Sequence, residues 1–284
     1  MSVEHYENFP VASVLCPAAL RPAVRAIYWF ARTADDLADE GDASAETRLA
    51  DLLAFESDLL AIAGGGVTSA RWSGVFEALR PVLSQHQIPL DLLTDLLSAF
   101  RQDVHKHRYA DRAELLDYCR RSANPIGRLL LHLYGVTASE ALHQSDDICT
   151  ALQLANFWQD LRVDSERGRL YAPESDCRRH GMAADAKLMG PDGVATRALV
   201  RDLVGWARGL MNSGAPLVHS VPGRAGWELR LVVQGGLRIL EKVEALEHTP
   251  LQRRPTVGAA DMPLLFWRAL CMRPARPLPA SETP

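Results

Sequence analysis

The sequence lacks the features that mark a membrane-spanning, disulfide-bonded or nucleic-acid-binding protein. Its longest apolar stretches, such as 263–272, fall far short of the ~20 residues that cross a bilayer, and no cationic segment leads into an apolar run at the start. The five cysteines are scattered and form no CxxC pair, which argues against a disulfide framework or a zinc site and favours a reducing compartment. The formal net charge of −4 supplies no cationic field for nucleic acid.

The chain also lacks the alternating pattern of a half-buried β-strand. With 284 residues, 48% of them hydrophobic, it can bury one large core. Apolar residues recur three and four apart in seven segments, at about 18–40, 46–63, 88–106, 112–135, 146–166, 194–218 and 226–248. We therefore predict an all-α protein with one domain over 1–272 and a proline-rich, disordered tail over 273–284, and we expect Pro81 to separate two helices.

Two of the predicted helices each carry a narrow polar stripe that contains two aspartates one turn apart. At about 100° per residue, each stripe lies on one helix face. The first stripe consists of Tyr28, Arg32, Asp35 and Asp39, and the second of Gln153, Asn156, Asp160 and Asp164. Both aspartate pairs lie near expected helix C-termini, where the helix dipole favours cations, and carboxylates four residues apart repel each other. Local helix energetics therefore does not explain where these aspartates lie.

Two explanations of the stripes are open, namely solvated helix faces or a bound divalent cation. The second helix is apolar around most of its circumference, which favours a stripe that faces a cavity and holds a metal. By contrast, Asp146 and Asp147 follow Ser145 at an expected helix start, where a cap and the dipole suffice to explain them.

The chemistry of the two stripes points to a particular class of ligand. Carboxylate oxygens on facing helices suit Mg²⁺, which bridges to phosphate oxygens. Two such sites beside an apolar cavity would accommodate a molecule that is half diphosphate and half hydrocarbon, as a prenyl diphosphate is. Ionising such a molecule requires neutralisation of the leaving group and dry walls around the carbocation.

With these residues in view, the chain resembles the squalene/phytoene synthase family of head-to-head prenyl synthases over about 5–247. The motifs that carry the resemblance are AIYWFARTADDLAD (26–39), YCRRSANPIG (118–127) and QLANFWQDLRVDSERGRLYAP (153–173). The resemblance implies the isoprenoid synthase fold, a single helical bundle around a central apolar cavity. It also implies two or three Mg²⁺ ions bound together with the diphosphate.

Roles for individual residues follow from the resemblance by position. The metal ligands would be Asp35, Asp39, Asn156, Asp160 and Asp164, with Gln153 close to the metals and diphosphate. Arg32 would bind phosphate, Tyr28 and Tyr118 would line the cavity, and Gly127 would leave room in a prenyl tunnel. His5 either faces the site or belongs to a frayed terminus.

Two further roles are left open by the sequence. Arg167, Arg169 and Tyr171 either close over the diphosphate or lie in a solvated loop. Either Tyr118 or Asn124 would position the water that attacks the carbocation.

Within the family, HYENFPVAS (5–13) and WELRLVVQGGLRILEKVE (227–244) resemble the hopanoid-pathway subgroup of hydroxysqualene synthases. The resemblance implies ionisation of presqualene diphosphate, rearrangement of the cation and capture by water, with no NADPH. The alternative is a synthase that makes presqualene diphosphate, squalene or phytoene from farnesyl or geranylgeranyl diphosphate. A non-catalytic assembly factor is a third possibility, which the four retained aspartates oppose.

The substrate and product of such an enzyme are strongly apolar, which favours loose attachment to a membrane. The segment PLLFWRALCM (263–272) fits either an interfacial contact or a helix docked by its apolar face. We expect a cytoplasmic protein, peripheral to the inner face of the membrane, with neighbouring pathway enzymes as partners.

Overall fold

The computed structural model describes residues 16–182, 193–245 and 254–273, and within these ranges the chain is α-helical without a β-strand. The α-helices are α1 Arg21–Asp39, α2 Ala45–Ala63, α3 Ser73–His86, α4 Leu90–Asp103, α5 Arg112–Ser122, α6 Asn124–Leu133, α7 Ser139–Glu166, α8 Glu174–Arg179, α9 Val194–Gly214, α10 Gly223–Ala245 and α11 Met262–Cys271. The prediction of an all-α fold is confirmed. His5 and residues 274–284 of the predicted tail lie outside the described residues.

The helix ends that matter most are the ones expected from the sequence. α1 ends at Asp39 and α7 ends at Glu166, so both aspartate pairs lie in or near a last helical turn. Gly41 and Gly168, which follow these two helices, have φ angles of 80° and 76°. Because glycine adopts positive φ without strain, it can turn the chain where the helix stops.

Three details of the sequence prediction are wrong. The expected helix over 112–135 is two helices, because Pro125 lies in the first turn of α6, where its missing amide hydrogen costs nothing. Pro81 does not separate helices but lies inside α3, whose apolar face is buried and outweighs one lost hydrogen bond. Finally, α7 begins at Ser139, about two turns earlier than the start near residue 146 that the sequence predicted.

The early start of α7 changes the role of two acidic residues. Asp146 and Asp147 lie inside the helix rather than at its N-terminus. Asp146 accepts hydrogen bonds from Arg128 of α6 at 2.9 and 2.6 Å, and Asp147 accepts one from Ser213 of α9 at 2.6 Å. Their role is still structural, but it is to tie α7 to its neighbours.

Helix α7 is central to the packing, since it contacts α5, α6, α9 and α10. One apolar core lies between α1, α2, α3 and α4 and includes Phe30, Phe55 and Phe76, whose rings lie 4.7–6.3 Å apart. A second core joins the C-terminal half of α7 to α5, α9 and α10. The two aspartate pairs are therefore carried by well-packed helices from different halves of the molecule.

Outside the helices, one short contact positions the segment after α7. Arg108 and Leu170 form an isolated parallel β-bridge, in which the Leu170 amide donates to the His107 carbonyl at 2.8 Å. The bridge aligns residues 168–171 with the segment that leads into α5.

In the part of the chain that the structure describes, no helix has the length and apolarity that crossing a bilayer requires.

Candidate active site

The polar face of α1 is organised around one guanidinium group. Arg32 forms ion pairs with Asp35 at 3.2 Å, with Asp36 at 2.6 Å and with Glu40 at 2.8 Å. Burial raises the pKa of Asp35 to about 6, and although Arg32 opposes this rise, the neighbouring acids Asp36, Asp39 and Glu40 add to it. This face of α1 therefore carries more negative charge than Arg32 neutralises. Tyr28 is half-buried one turn before Arg32.

The polar face of α7 also carries excess negative charge. Burial raises the pKa of Asp164 to about 7, with further contributions from Asp160 on the same helix and from Asp39 on α1, while Arg169 and Arg167 oppose the rise. Asp39 of α1 thus lies close enough to Asp164 of α7 to act on its pKa, and the C-terminal ends of the two predicted stripes are near each other.

A third segment completes the contact between the stripes. Arg169, in the loop after α7, donates a short hydrogen bond to Asp39 of α1. Burial would raise the pKa of Asp39, but the hydrogen bond and charge of Arg169 outweigh it, so the pKa lies below its usual value. Arg169 therefore lies against the acidic site and not in a solvated loop.

Beside the carboxylates lies a wall of buried aromatic rings. The ring of Tyr171 stacks on Phe157 of α7 with 3.7 Å between centroids and 5° between planes. Tyr118 of α5 lies 6.3 Å from Phe157, and Tyr109 lies 5.5 Å from Tyr118 and 5.9 Å from Tyr171. The negative faces of such rings attract cations, which is the property that a carbocation site requires.

Two residues of this region were missed by the sequence analysis. The hydroxyl of Tyr118 donates to Asp103 Oδ2 at 2.9 Å, and Asp103 is the last residue of α4. A carboxylate at a helix C-terminus is the same anomaly that identified the two stripes, so Asp103 carried a signal in the sequence. Arg254 makes two hydrogen bonds to Asp160, at 2.5 and 3.0 Å, from an irregular segment that gave no such signal.

Other predicted site residues are placed as follows. Gln153 is half-buried and Asn156 exposed, on the same helix as Asp160. The side-chain oxygen of Asn124 is buried and accepts a hydrogen bond from Thr150 of α7 at 3.0 Å. This bond ties α6 to α7, so the water-positioning role suggested for Asn124 gains no support from it.

The structure gives Gly127 a role in packing. A Cβ atom at this position would lie 2.4 Å from Ser145 Oγ and 2.5 Å from Cys149 Sγ, both on α7. The expected room beside Gly127 is thus filled by two side chains of α7. The glycine lets α6 and α7 approach each other closely.

The donor set fits a hard divalent cation. Among the described residues, no three histidine, cysteine or acidic side chains already form a metal-binding group, and arginines lie among the carboxylates instead. Burial is the main cause of the raised pKa values of Asp35 and Asp164, and the negative charge of neighbouring carboxylates adds to it on both helices. A cation between the two faces would offset this charge, and carboxylate oxygens are the ligands that Mg²⁺ prefers.

Comparisons with known proteins agree with this architecture. The family model described as squalene/phytoene synthase matches residues 3–261. A hydroxysqualene synthase of Sinorhizobium fredii is 32% identical, over 95% of this chain and 90% of that protein. A phytoene synthase of Thermus thermophilus is 30% identical, over 93% and 88%. The crystal structure of squalene synthase HpnC from Alicyclobacillus acidocaldarius aligns with a TM-score of 0.76 and 36% identity, over 86% of this chain and 90% of that one.

Proposed function

Because the chain belongs to the squalene/phytoene synthase family of prenyl-diphosphate-processing enzymes, we propose that it ionises presqualene diphosphate and captures the rearranged carbocation with water, giving hydroxysqualene and diphosphate. The observation that carries the proposal is that Asp39 of α1, paired with Arg169, acts on Asp164 of α7 at the edge of a buried aromatic wall. The relatives named hydroxysqualene synthase favour this reaction over others of the family.

The polar part of the site would bind the leaving group. Asp35, Asp39, Asp160 and Asp164, with Asn156 beside them, would hold Mg²⁺, which neutralises the negative charge that develops on the departing diphosphate. Three arginines now pair with these or adjacent carboxylates, namely Arg32, Arg169 and Arg254. Guanidinium groups form paired hydrogen bonds to phosphate oxygens, so the same arginines would bind the diphosphate once it is present.

The apolar part of the site would contain the carbocation. Phe157, Tyr118 and Tyr171 are buried and would exclude bulk water, and the ring faces that the Phe157–Tyr171 stack leaves uncovered would stabilise a positive charge. Capture by one positioned water requires a polar atom within this wall, and the Tyr118 hydroxyl supplies one. The reaction needs no hydride, and we therefore expect it to proceed without NADPH.

Purified protein with Mg²⁺ tests the proposal. Presqualene diphosphate should give hydroxysqualene, identified by gas chromatography and mass spectrometry, equally with and without NADPH. The alternative reaction is favoured by the relatives named phytoene synthase. It predicts instead that farnesyl or geranylgeranyl diphosphate is consumed to presqualene diphosphate, squalene or phytoene. Asp160→Asn should abolish turnover with unchanged helicity, whereas Asp91→Asn, at an exposed position on α4, should not affect it.

The apolar product also suggests a place where the enzyme contacts a bilayer. Helix α11 buries Leu265 and Ala269 against the protein but exposes Phe266, Trp267 and Leu270, which are 52–65% exposed. One face of α11 is docked on the protein, as expected. The opposite face is not covered by any other described residue and would be able to insert at a membrane interface.

Charge around α11 favours an anionic bilayer. Two acids near α11, Glu241 and Asp261, form ion pairs with three basic residues. These are Arg238, Lys242 and Arg268, so the cluster carries an excess of positive charge. Cosedimentation with vesicles containing phosphatidylglycerol should therefore exceed that with phosphatidylcholine alone. Phe266→Ser with Leu270→Ser should reduce it at least tenfold, and Leu53→Ser on α2, a similarly exposed leucine, should not. Equal binding by all three proteins would exclude α11 as the contact.

A further inference from the structure

The hydrogen-bonded pair of Asp103, at the end of α4, and Tyr118, in α5, leaves one oxygen of the Asp103 carboxylate unsatisfied among the described residues. Tyr118 is buried in the aromatic wall and donates its hydroxyl hydrogen to Asp103 Oδ2 at 2.9 Å. The second carboxylate oxygen, Asp103 Oδ1, is buried without a hydrogen-bond partner in the described part of the chain. An acceptor left unsatisfied in this way is costly, and its proton affinity is correspondingly high.

Several charged and titratable groups from other elements act on Asp103. They are Asp35 and Asp39 of α1, Tyr118 of α5, Tyr109, and Arg169 and Tyr171 of the loop after α7. Burial raises the pKa of Asp103 to about 7. The hydrogen bond from Tyr118 and the charge of Arg169 oppose this rise, and the two α1 aspartates add to it. A base with a pKa close to the working pH is well matched to proton transfer.

Tyr118 could not keep a proton taken from water. Burial raises the pKa of its phenol well above the ordinary value, with Asp103, Tyr171 and Tyr109 adding to the rise, so the neutral form is held strongly. If the phenolic oxygen accepts a proton, it must pass its own hydrogen on. The only hydrogen-bond acceptor that the structure shows for that hydrogen, among the described residues, is Asp103.

We propose that Asp103 is the final proton acceptor for water capture and acts through Tyr118. This inference rests on the proposed function. The water oxygen forms a C–O bond to the cationic carbon, and one of its O–H bonds breaks. That proton passes to the Tyr118 oxygen while the phenolic hydrogen passes to the Asp103 carboxylate. The products are the alcohol, neutral Tyr118 and neutral Asp103, which afterwards returns its proton to solvent.

The test separates ionisation from capture. With presqualene diphosphate and Mg²⁺, diphosphate release and the fraction of turnovers that yield hydroxysqualene are measured for wild type, Asp103→Asn and Asp91→Asn. Asp103→Asn keeps the shape but removes the base, so the alcohol fraction should fall at least tenfold while diphosphate release changes by less than threefold. Asp91→Asn, at an exposed position on the same helix, should match wild type.

A pH profile distinguishes a proton acceptor from a residue that only supports packing. In wild type, the alcohol fraction should fall as the pH is lowered through about 7, because a protonated Asp103 accepts no further proton. Both Asp103→Asn and Tyr118→Phe should lose this dependence. If Asp103→Asn does not fold, as judged by circular dichroism, Tyr118→Phe alone decides: a retained pH dependence overturns the proposal.

The two levels of inference fail in different ways. If wild type releases no diphosphate from presqualene diphosphate, the proposed function itself is wrong. If wild type yields hydroxysqualene and Asp103→Asn yields the same fraction with the same pH profile, only the role of Asp103 is wrong.

Discussion

Arg254 holds Asp160 by two hydrogen bonds across 94 positions of sequence. One carboxylate of the α7 pair is thus neutralised by a guanidinium of the chain itself. If Mg²⁺ binds the same oxygens, as proposed above, the arginine and the metal would compete for Asp160, and a displaced Arg254 would be able to bind phosphate.

This competition predicts opposite effects of Arg254→Gln on two ligands. Affinity for Mn²⁺ alone, used as a spectroscopic substitute for Mg²⁺, should rise about 3–10-fold, roughly the effect of removing 1 kcal/mol of competing interaction. Affinity for inorganic diphosphate in the presence of metal should fall. Titration calorimetry measures both. Arg268→Gln, which breaks a comparable pair with Glu241, is the control and should change neither.

Removal of Arg169 should weaken the closure of the site. Arg169→Gln removes the ion pair that joins the loop after α7 to Asp39 of α1, and it removes one group that would bind diphosphate. We expect kcat/KM to fall about 10–100-fold, a loss of roughly 1.4–2.7 kcal/mol of transition-state stabilisation. Arg167→Gln, at an exposed position two residues earlier, should lower it much less. Equal losses in the two variants would mean that only the overall positive charge of the loop matters.

The stability of the metal-free protein should depend on pH through Asp35, Asp103 and Asp164. Their pKa values are raised to about 6, 7 and 7, above the ordinary value of 3.8, so between about pH 4 and 7 the folded state binds more protons than the unfolded state. Stability from these groups therefore decreases as the pH rises through this window.

Thermal unfolding checks this dependence. Between pH 8 and pH 6 the melting temperature of the metal-free protein should increase, by about 2–4 °C for each kcal/mol regained. In Asp164→Asn the increase should be smaller. Mg²⁺ with diphosphate should raise the melting temperature more at pH 8 than at pH 6, since the ligands bind ionised carboxylates. A melting temperature that falls on acidification would contradict the prediction.

A glycine pair tests the packing of α6 on α7. Gly127→Ala should destabilise the fold by about 1–3 kcal/mol, because its Cβ would collide with Ser145 and Cys149. In α9, Gly205→Ala meets no atom within 4 Å and should stabilise the helix by about 0.5–1 kcal/mol. Urea denaturation measures both changes. Ser145→Ala and Cys149→Ala, added together, should restore part of the loss in Gly127→Ala.

The sequence was most informative where a residue contradicts local helix physics. Asp35, Asp39, Asp160 and Asp164 could be proposed as site residues because carboxylates at helix C-termini are unfavourable unless something else stabilises them. The same criterion applies to Asp103, which was overlooked because it is a single residue without a partner one turn away. Its partner, Tyr118, lies on another helix, and that pairing exists only in three dimensions.

Other differences arose from tertiary packing. Pro81 is unfavourable inside an isolated helix, but α3 buries Phe76, Leu79 and Val82 and so remains continuous. The start of α7 was misplaced because Ser145 and Asp146 look like a helix start, whereas burial and a contact with Arg128 explain them equally well. Sequence spacing alone does not distinguish a cap from a contact between helices.

The isolated bridge between Arg108 and Leu170 limits how this enzyme can vary. In extended backbone, alternate residues point to opposite sides, so Leu170 points into the core while Arg169 and Tyr171 share the side that faces Asp39 and Asp103. The identity of the exposed Arg167 can change without moving either of them. An insertion or deletion of one residue there would exchange the cationic and aromatic groups for an aliphatic one, so the site depends more on the length of this connection than on its composition.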